Sequence, residues 1–338
     1  MSTWPRADSV PTTPRTTAEA IALIEAAARP GELFGSDAGR CYRRLARLIH
    51  PDARPGDTRA AAAFGKLAGL WQRHQSAEGS GGRPPGQRAD RGPLVAQGDL
   101  ANLYLTAGGL LKVPRNPADN DLMDREAAAL TRIGRHGDRR FRPYFPRLVE
   151  TRRVIDPRTG AERRGNLIER LDGFVSLARV RAAYPGGVDP RDAAWMWRRL
   201  LVAVGAAHLA GLIHAAVLPE HVLIHPAEHG LVLVDWCYSG PAGGRLPAVV
   251  ARYRNRYPPE VLAGEPAGPD ADIWLATSCM TELTGGRLPA PLAAFARGCL
   301  LASPGRRPQD AWKLLSELDE LLGRLYGPRK FRPFAIPA

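Results

Sequence analysis

The chain has 338 residues, of which 44% are hydrophobic and 24% charged, with a formal net charge of +13. This length suits two domains better than one, and the apolar share is ample for packed cores, which excludes a wholly disordered or fibrous chain. No run of about 18 or more apolar residues occurs, so no transmembrane helix is expected, and the apolar run 200–213 reads as a buried helix.

Residues 1–15 are rich in Pro and Thr and lack the apolar core of a secretory leader, so they read as a disordered N-terminus of a cytoplasmic protein. The four cysteines, Cys41, Cys237, Cys279 and Cys299, show no C-x-x-C pair and no metal spacing with histidine, as expected of reduced thiols. Lysine occurs only at 66, 112, 313 and 330, and arginine carries the rest of the positive charge. With the abundant Ala, Gly and Pro, this resembles the bias of a GC-rich actinobacterial genome. The basicity is then largely compositional, and nucleic acid is not expected as a partner. One stretch, 131–164, concentrates eleven arginines against four acids. It reads as a solvated face, with polyanion binding as the alternative.

In chain order, Thr17 is placed as the cap of a first helix with Ile21, Ile24 and Ala28 on its apolar side. A second helix is predicted over 37–49, with Cys41, Leu45 and Leu48 on one stripe. Arg40, Arg43, Arg44 and Arg47, at i, i+3, i+4 and i+7, share another face. Pro51 ends that helix, because the pre-proline position disfavours helical geometry. His50-Pro51-Asp52 therefore lies on a loop before a third helix from about Thr58, with Phe64, Leu67 and Trp71 facing inward.

Residues 16–75 thus resemble a J-domain. In that family the His-Pro-Asp loop and the basic face of the second helix dock a DnaK-type chaperone and stimulate its ATPase. The resemblance implies His50, Pro51 and Asp52 as the effector loop and Arg40, Arg43, Arg44 and Arg47 as the docking face. Residues 76–92, dense in Gly, Pro, Ser and charge, read as a flexible linker.

Beyond the linker the pattern changes to short alternating strands and then helices. Lys112 lies in an apolar strand, and fourteen residues on Glu126 falls in a helix-patterned stretch. In a chain this poor in lysine, a compact ammonium on a strand suggests a specific task, such as lying between phosphates as a point charge. Leu231-Val232-Leu233-Val234 is an apolar strand that delivers Asp235 at its end, suited to a bound Mg²⁺. Tyr257-Pro258-Pro259-Glu260, the Asp270–Trp274 helix start and Arg307 beside Pro308 follow in order.

This series resembles a protein kinase. It implies a hinge at Glu169–Leu171, an ion pair between Glu260 and Arg307, and Asp272 in a buried helix. The fold expected is α+β: a small three-helix J-like domain (16–75) plus a bilobal kinase-like domain (93–323, divided at 170/171), followed by a tail (324–338). The tail could dock or hang free.

The departures from the family carry as much information. In His214-Ala215-Ala216-Val217-Leu218-Pro219-Glu220-His221, Ala216 stands where kinases carry the aspartate base. Leu218 stands for the phosphate-steadying lysine and His221 for the asparagine that holds a second Mg²⁺. Absence of a positioned base costs ~10²–10⁴-fold, so ordinary phosphotransfer is not expected. The three loop glycines become Ala96, Gly98 and Ala101, the Asp-Phe-Gly motif becomes Asp235-Trp236-Cys237, and 236–260 has no threonine. His221 reads as a hydrogen-bonded structural residue before it reads as a ligand.

The resemblance still implies ATP with Mg²⁺, held by Gly98, Lys112, Glu126, Glu169, Leu171 and Asp235. The reading is a J-domain co-chaperone whose degenerate kinase-like domain scaffolds nucleotide or an unidentified client. The alternative is an atypical kinase or nucleotidyl transferase using Lys112 and Asp235.

Overall fold

The computed structural model describes residues 14, 16–34, 38–49, 57–78, 92–156 and 159–337. The chain divides into two compact units, Met1–Gly86 and Gln87–Ala338.

In the first unit, helix α1 spans Thr17–Ala26, α2 spans Ala38–Ile49 and α3 spans Thr58–Glu78. The cap of α1 is Thr16, one residue before the expected Thr17. Its hydroxyl accepts from the Glu19 N–H at 3.2 Å, and the Glu19 carboxylate accepts from the Thr16 N–H at 3.2 Å. Such a reciprocal box satisfies two otherwise orphaned donors. Thr17 instead donates its hydroxyl to the Leu48 carbonyl at 3.1 Å, tying α1 to the end of α2.

The buried stripe of α2 is Tyr42, Leu45 and Ile49, with Cys41 and Leu48 only half-buried, so the helix is rotated from the expected setting. The cause is an aromatic cluster: Tyr42 meets Trp71 at 4.9 Å, and Phe34 meets the same indole edge-on at 5.1 Å. On α3, Leu67 and Trp71 are buried as expected and Phe64 is half-buried. Arg40 and Arg47 are exposed, whereas Arg43 and Arg44 are half-buried. His50, Pro51 and Asp52 lie outside the described residues, as do 1–13, Arg15 and 79–91. Helix α3 continues to Glu78, three residues into the span read as linker.

The second unit opens with strands β1 (Leu94–Gln97), β2 (Ala101–Thr106), β3 (Gly109–Pro114), β4 (Leu148–Ile155) and β5 (Glu162–Ile168). They form an antiparallel sheet ordered β1-β2-β3-β5-β4, and helix α4 (Asn120–His136) joins β3 to β4. Strand alternation sends Leu111, Val113, Val154 and Leu167 into one small core. Lys112, one residue out of phase, stands opposite Asn166 of β5, and both reach α4.

After β5 the chain becomes mainly helical: α5 (Leu177–Ala183), α6 (Pro190–Leu209), α7 (Pro259–Leu262), α8 (Pro269–Leu283), α9 (Ala290–Cys299) and α10 (Ala311–Tyr326). Short strands β6 (Val175–Ser176), β7 (Leu212–Ile213), β8 (Val222–His225), β9 (Gly230–Leu233) and β10 (Gly240–Pro241) edge the helices. The apolar run 200–213 is therefore not one helix. It leaves α6 at Leu209, turns at Gly211 (φ 74°) and enters β7. The core surrounds α6, where Trp197, Leu200, Leu201 and Val204 are fully buried. Gly205 lets α10 approach closely, since a Cβ there would meet the Trp312 ring at 2.9 Å.

This mixed α/β unit, with a five-stranded antiparallel sheet followed by helices, is compatible with a two-lobed kinase-like fold. Helix α10 reaches Tyr326, past the expected start of the tail at 324. The tail docks. Arg332 pairs with Asp192 at 3.0 Å, and buried Phe334 stacks on Tyr184 at 5.7 Å. Phe331 stacks at 4.4 Å on His229, which stacks in turn on Trp195 at 4.0 Å. Among the described residues no helix is long and apolar enough to cross a membrane.

Candidate functional site

The site forms where the sheet, α4 and the segment after β9 converge. Lys112 on β3 lies 2.8 Å from Glu126 on α4 and pairs with Asp235. The second Glu126 oxygen accepts from the Asn166 amide at 2.9 Å, and the same amide donates to the Met123 carbonyl at 2.9 Å. Asn166 was not legible in advance, because only the β3–β5 register brings it beside Lys112. Burial alone would lower the Lys112 ammonium, but the charges of Asp235 and Glu126 outweigh it and hold the group well above its usual range.

Asp235 follows β9 in the left-handed region (φ 72°, ψ 54°), where few non-glycine residues settle. Burial would raise its carboxyl, but the charges of Lys112 and His221 hold it below the ordinary carboxylate range. One oxygen receives Lys112 and, at 3.2 Å, the Cys237 thiol. The other lies 3.2 Å from Nε2 of His221. Burial pushes the Cys237 thiol well above its usual range, so it stays protonated and donates to that oxygen.

The next residue, Trp236, is completely buried. Its indole N–H donates to the Leu233 carbonyl at 2.8 Å, and its ring meets His214 at 4.6 Å and Phe145 at 5.5 Å.

The loop that faces Asp235 is held by backbone hydrogen bonds to a buried carboxylate. Asp272 of α8 accepts from the backbone N–H groups of His214 and Ala215 at 2.7 and 2.8 Å, with Ala215 left-handed at φ 64°. Ala216 and Leu218 are both buried, and neither side chain can take or give a proton. His221 sets Nδ1 2.8 Å from the Ala216 carbonyl.

Opposite this loop, β1 and β2 are joined by a tight hairpin in which the Gly98 N–H bonds to the Ala101 carbonyl at 2.8 Å. A Cβ at Gly98 would press on that carbonyl at 3.1 Å. At the hairpin tip, Asp99 accepts from the Tyr238 hydroxyl at 2.5 Å. The tip is thereby fastened to the turn after Asp235, and Asp99 joins His221 and Asp235 with ligand atoms within 4.8 Å of one another. The sequence reading missed Asp99, although it is the only acid between β1 and β2.

Glu169 and Leu171 follow β5. The Glu169 carboxylate accepts from the Arg147 backbone N–H at 2.8 Å. Among the described residues, the Glu169 carbonyl and the Leu171 N–H have no backbone partner.

Away from the cleft, Arg307 grips both Glu260 oxygens at 2.7 and 2.8 Å and also reaches Asp270 at 2.9 Å. Asp270 had not been singled out in that role. The arginines of 131–164 are largely occupied: Arg140 pairs with Asp138, Arg153 with Glu162, and Arg163 with Asp156, while Arg132 donates to the Ala210 carbonyl.

No family model matches the chain. Over 105 residues it is 28% identical to the SNF1-related protein kinase catalytic subunit alpha KIN12 of Arabidopsis thaliana, a match covering 31% of this chain and 21% of that protein. The chain thus matches about a fifth of that relative's length. The likeness supports a kinase-like domain in this chain.

Proposed function

We propose that the protein is a J-domain co-chaperone whose kinase-like domain has given up phosphotransfer and serves as a nucleotide- or client-binding scaffold. The observation that carries the scaffold half is a contrast within one cleft. Lys112, Glu126 and Asp235 are assembled, while Ala216 and Leu218 put buried hydrocarbon where a base and a phosphate-steadying cation belong. Phosphoryl transfer depends on positioning and electrostatics, so a cleft that keeps its clamp and lacks its base can bind without turning over.

The residues fit one MgATP. Lys112, steadied by Glu126 and Asn166, would face the phosphates, and Asp235 would hold one Mg²⁺. The Glu169 carbonyl and Leu171 N–H, without a backbone partner among the described residues, would offer an edge for the base. Bound MgATP would supply phosphates for Lys112 and a cation for Asp235, and neither Ala216 nor Leu218 carries a group that could take a hydroxyl proton.

The co-chaperone half is supported by the three-helix unit with its basic α2 and by the His50-Pro51-Asp52 sequence between α2 and α3. The partner is then a DnaK-type chaperone in the cytoplasm. Two experiments test the proposal. Calorimetry with MgATP should give binding that Lys112→Ala abolishes, and binding unchanged in that variant would end the nucleotide reading. Asp52→Asn should abolish stimulation of a DnaK-type ATPase by the full chain, and stimulation retained would end the co-chaperone reading.

A further inference from the structure

We infer that the groove under the C-terminal tail is a peptide-docking site for a partner protein. The ligand it fits is an extended segment carrying an aromatic, an arginine and a second aromatic. The chain's own tail then occupies it as a competitor in cis. The inference goes beyond the scaffold proposal and is independent of it, because no residue of the nucleotide cleft takes part.

Three segments build the groove. Tyr184 follows α5, Asp189 caps α6, Asp192 and Trp195 lie early in α6, and His229 ends the turn between β8 and β9. The His229 ring lies flat on Trp195, 4.0 Å away and 3° from parallel. Its backbone is left-handed at φ 54°. Such outliers are costly in a non-glycine residue and cluster where a ligand is clamped.

The tail shows which chemistry fits. Phe331 stacks on the His229 ring at 4.4 Å, and Phe334 packs against both Tyr184 and Trp195. Between them the Arg332 guanidinium meets Asp192 through two nitrogens, at 3.0 and 3.3 Å, with Asp189 at 3.9 Å. A two-pronged arginine between aromatic anchors is the composition that carries affinity in protein interfaces.

The tail is held as a ligand is held. Residues 328–337 form no helix or strand, and among the described residues no backbone–backbone hydrogen bond ties them to the unit. Phe331 and Arg332 stay exposed. The fit is also incomplete. Nε1 of Trp195 and Nε2 of His229 are buried and have no hydrogen-bond partner among the described residues. Leaving such atoms unmet is costly, so a segment that brings polar atoms to them can displace the tail.

The test uses the full-length chain with Arg332→Glu and Phe334→Ala, which frees the groove. A labelled synthetic peptide of residues 327–338 is the probe. Fluorescence anisotropy should show saturable one-to-one binding to this variant. Binding to the wild type should be at least ~10-fold weaker, because a cis competitor acts at about millimolar effective concentration. Adding Asp192→Arg to the variant should abolish binding, and a peptide with Arg332→Glu should recover part of it. Three results would overturn the site: no binding to the freed variant, equal binding to variant and wild type, or loss of the variant's fold by circular dichroism. The last would make the tail part of the core. Wild-type dimers that disappear in the variant would give the groove to a second copy's tail and overturn its assignment to a partner protein. None of these outcomes touches the MgATP reading.

Discussion

Asp272 holds His214 by its backbone: the carboxylate, with no exposed surface, accepts the His214 N–H at 2.7 Å. The His214 ring is thereby fixed inside the core, where Nε2–H donates to the Val234 carbonyl at 2.9 Å and Nδ1 accepts from the Ala216 N–H at 3.2 Å. Both nitrogens are satisfied only in the neutral form. Burial lowers this ring from 6.5 to about 4, with Asp272 opposing the shift in part.

A pH dependence follows. The unfolded chain protonates this histidine near pH 6.5, while the folded chain resists until about pH 4. Stability from the neutral ring is therefore complete above pH 6.5 and is lost as pH falls toward 4, by about 3 kcal/mol. Denaturant unfolding at pH 7 and pH 4.5 should show this loss in the wild type and a smaller one in His214→Gln.

Lys112→Ala should destabilise the protein even with no ligand present. It leaves Glu126 and Asp235 facing each other in a buried cleft without their shared cation. Breaking a buried ion pair from one side costs ~3–5 kcal/mol. Chemical denaturation would measure it, and adding Glu126→Gln to Lys112→Ala should recover part of the loss.

Arg307 offers a parallel case in which charge and shape can be separated. Its guanidinium spans both Glu260 oxygens, reaches Asp270, and donates to the Leu301 and Ala302 carbonyls. Arg307→Lys keeps the charge and loses the fork, so it should cost ~2 kcal/mol, against ~3–5 for Arg307→Ala. Thermal unfolding of both variants would rank them.

The docked tail separates its two phenylalanines. Phe334 is buried against Tyr184 and Trp195, whereas Phe331 is 65% exposed over His229. Phe334→Ala should cost ~3 kcal/mol, release residues 328–337 to limited proteolysis and change Trp195 fluorescence. Phe331→Ala should cost less than ~1 kcal/mol.

Lys112, Glu126 and Asp235 could be read in the sequence because each sits in a local pattern that marks it: a lone lysine on an apolar strand, an acid in a helix, an acid ending a strand. Asn166, Asp99 and Asp270 could not. Their roles depend on which strand lies beside β3, on where the β1–β2 hairpin folds, and on how α8 meets Arg307. These are tertiary facts with no short-range signal. The setting of α2 was misread for a similar reason, since the aromatic cluster around Trp71 comes from three separate segments. The cap of α1 was missed by a single residue between two adjacent threonines, where only the observed hydrogen bonds decide. The end of the run 200–213 had a local cue in Gly211, whose left-handed turn lets Leu212 and Ile213 leave the helix.

Trp236 leaves the segment after Asp235 with a single resting state. Swinging that indole outward would vacate a site the size of a tryptophan, at ~3–5 kcal/mol, so the flipped form amounts to less than ~1% of molecules. Small molecules that work by trapping a flipped segment would have almost nothing to trap. Selectivity toward this protein must instead come from contacts its surface already presents, and association rates should show no slow isomerisation at this segment.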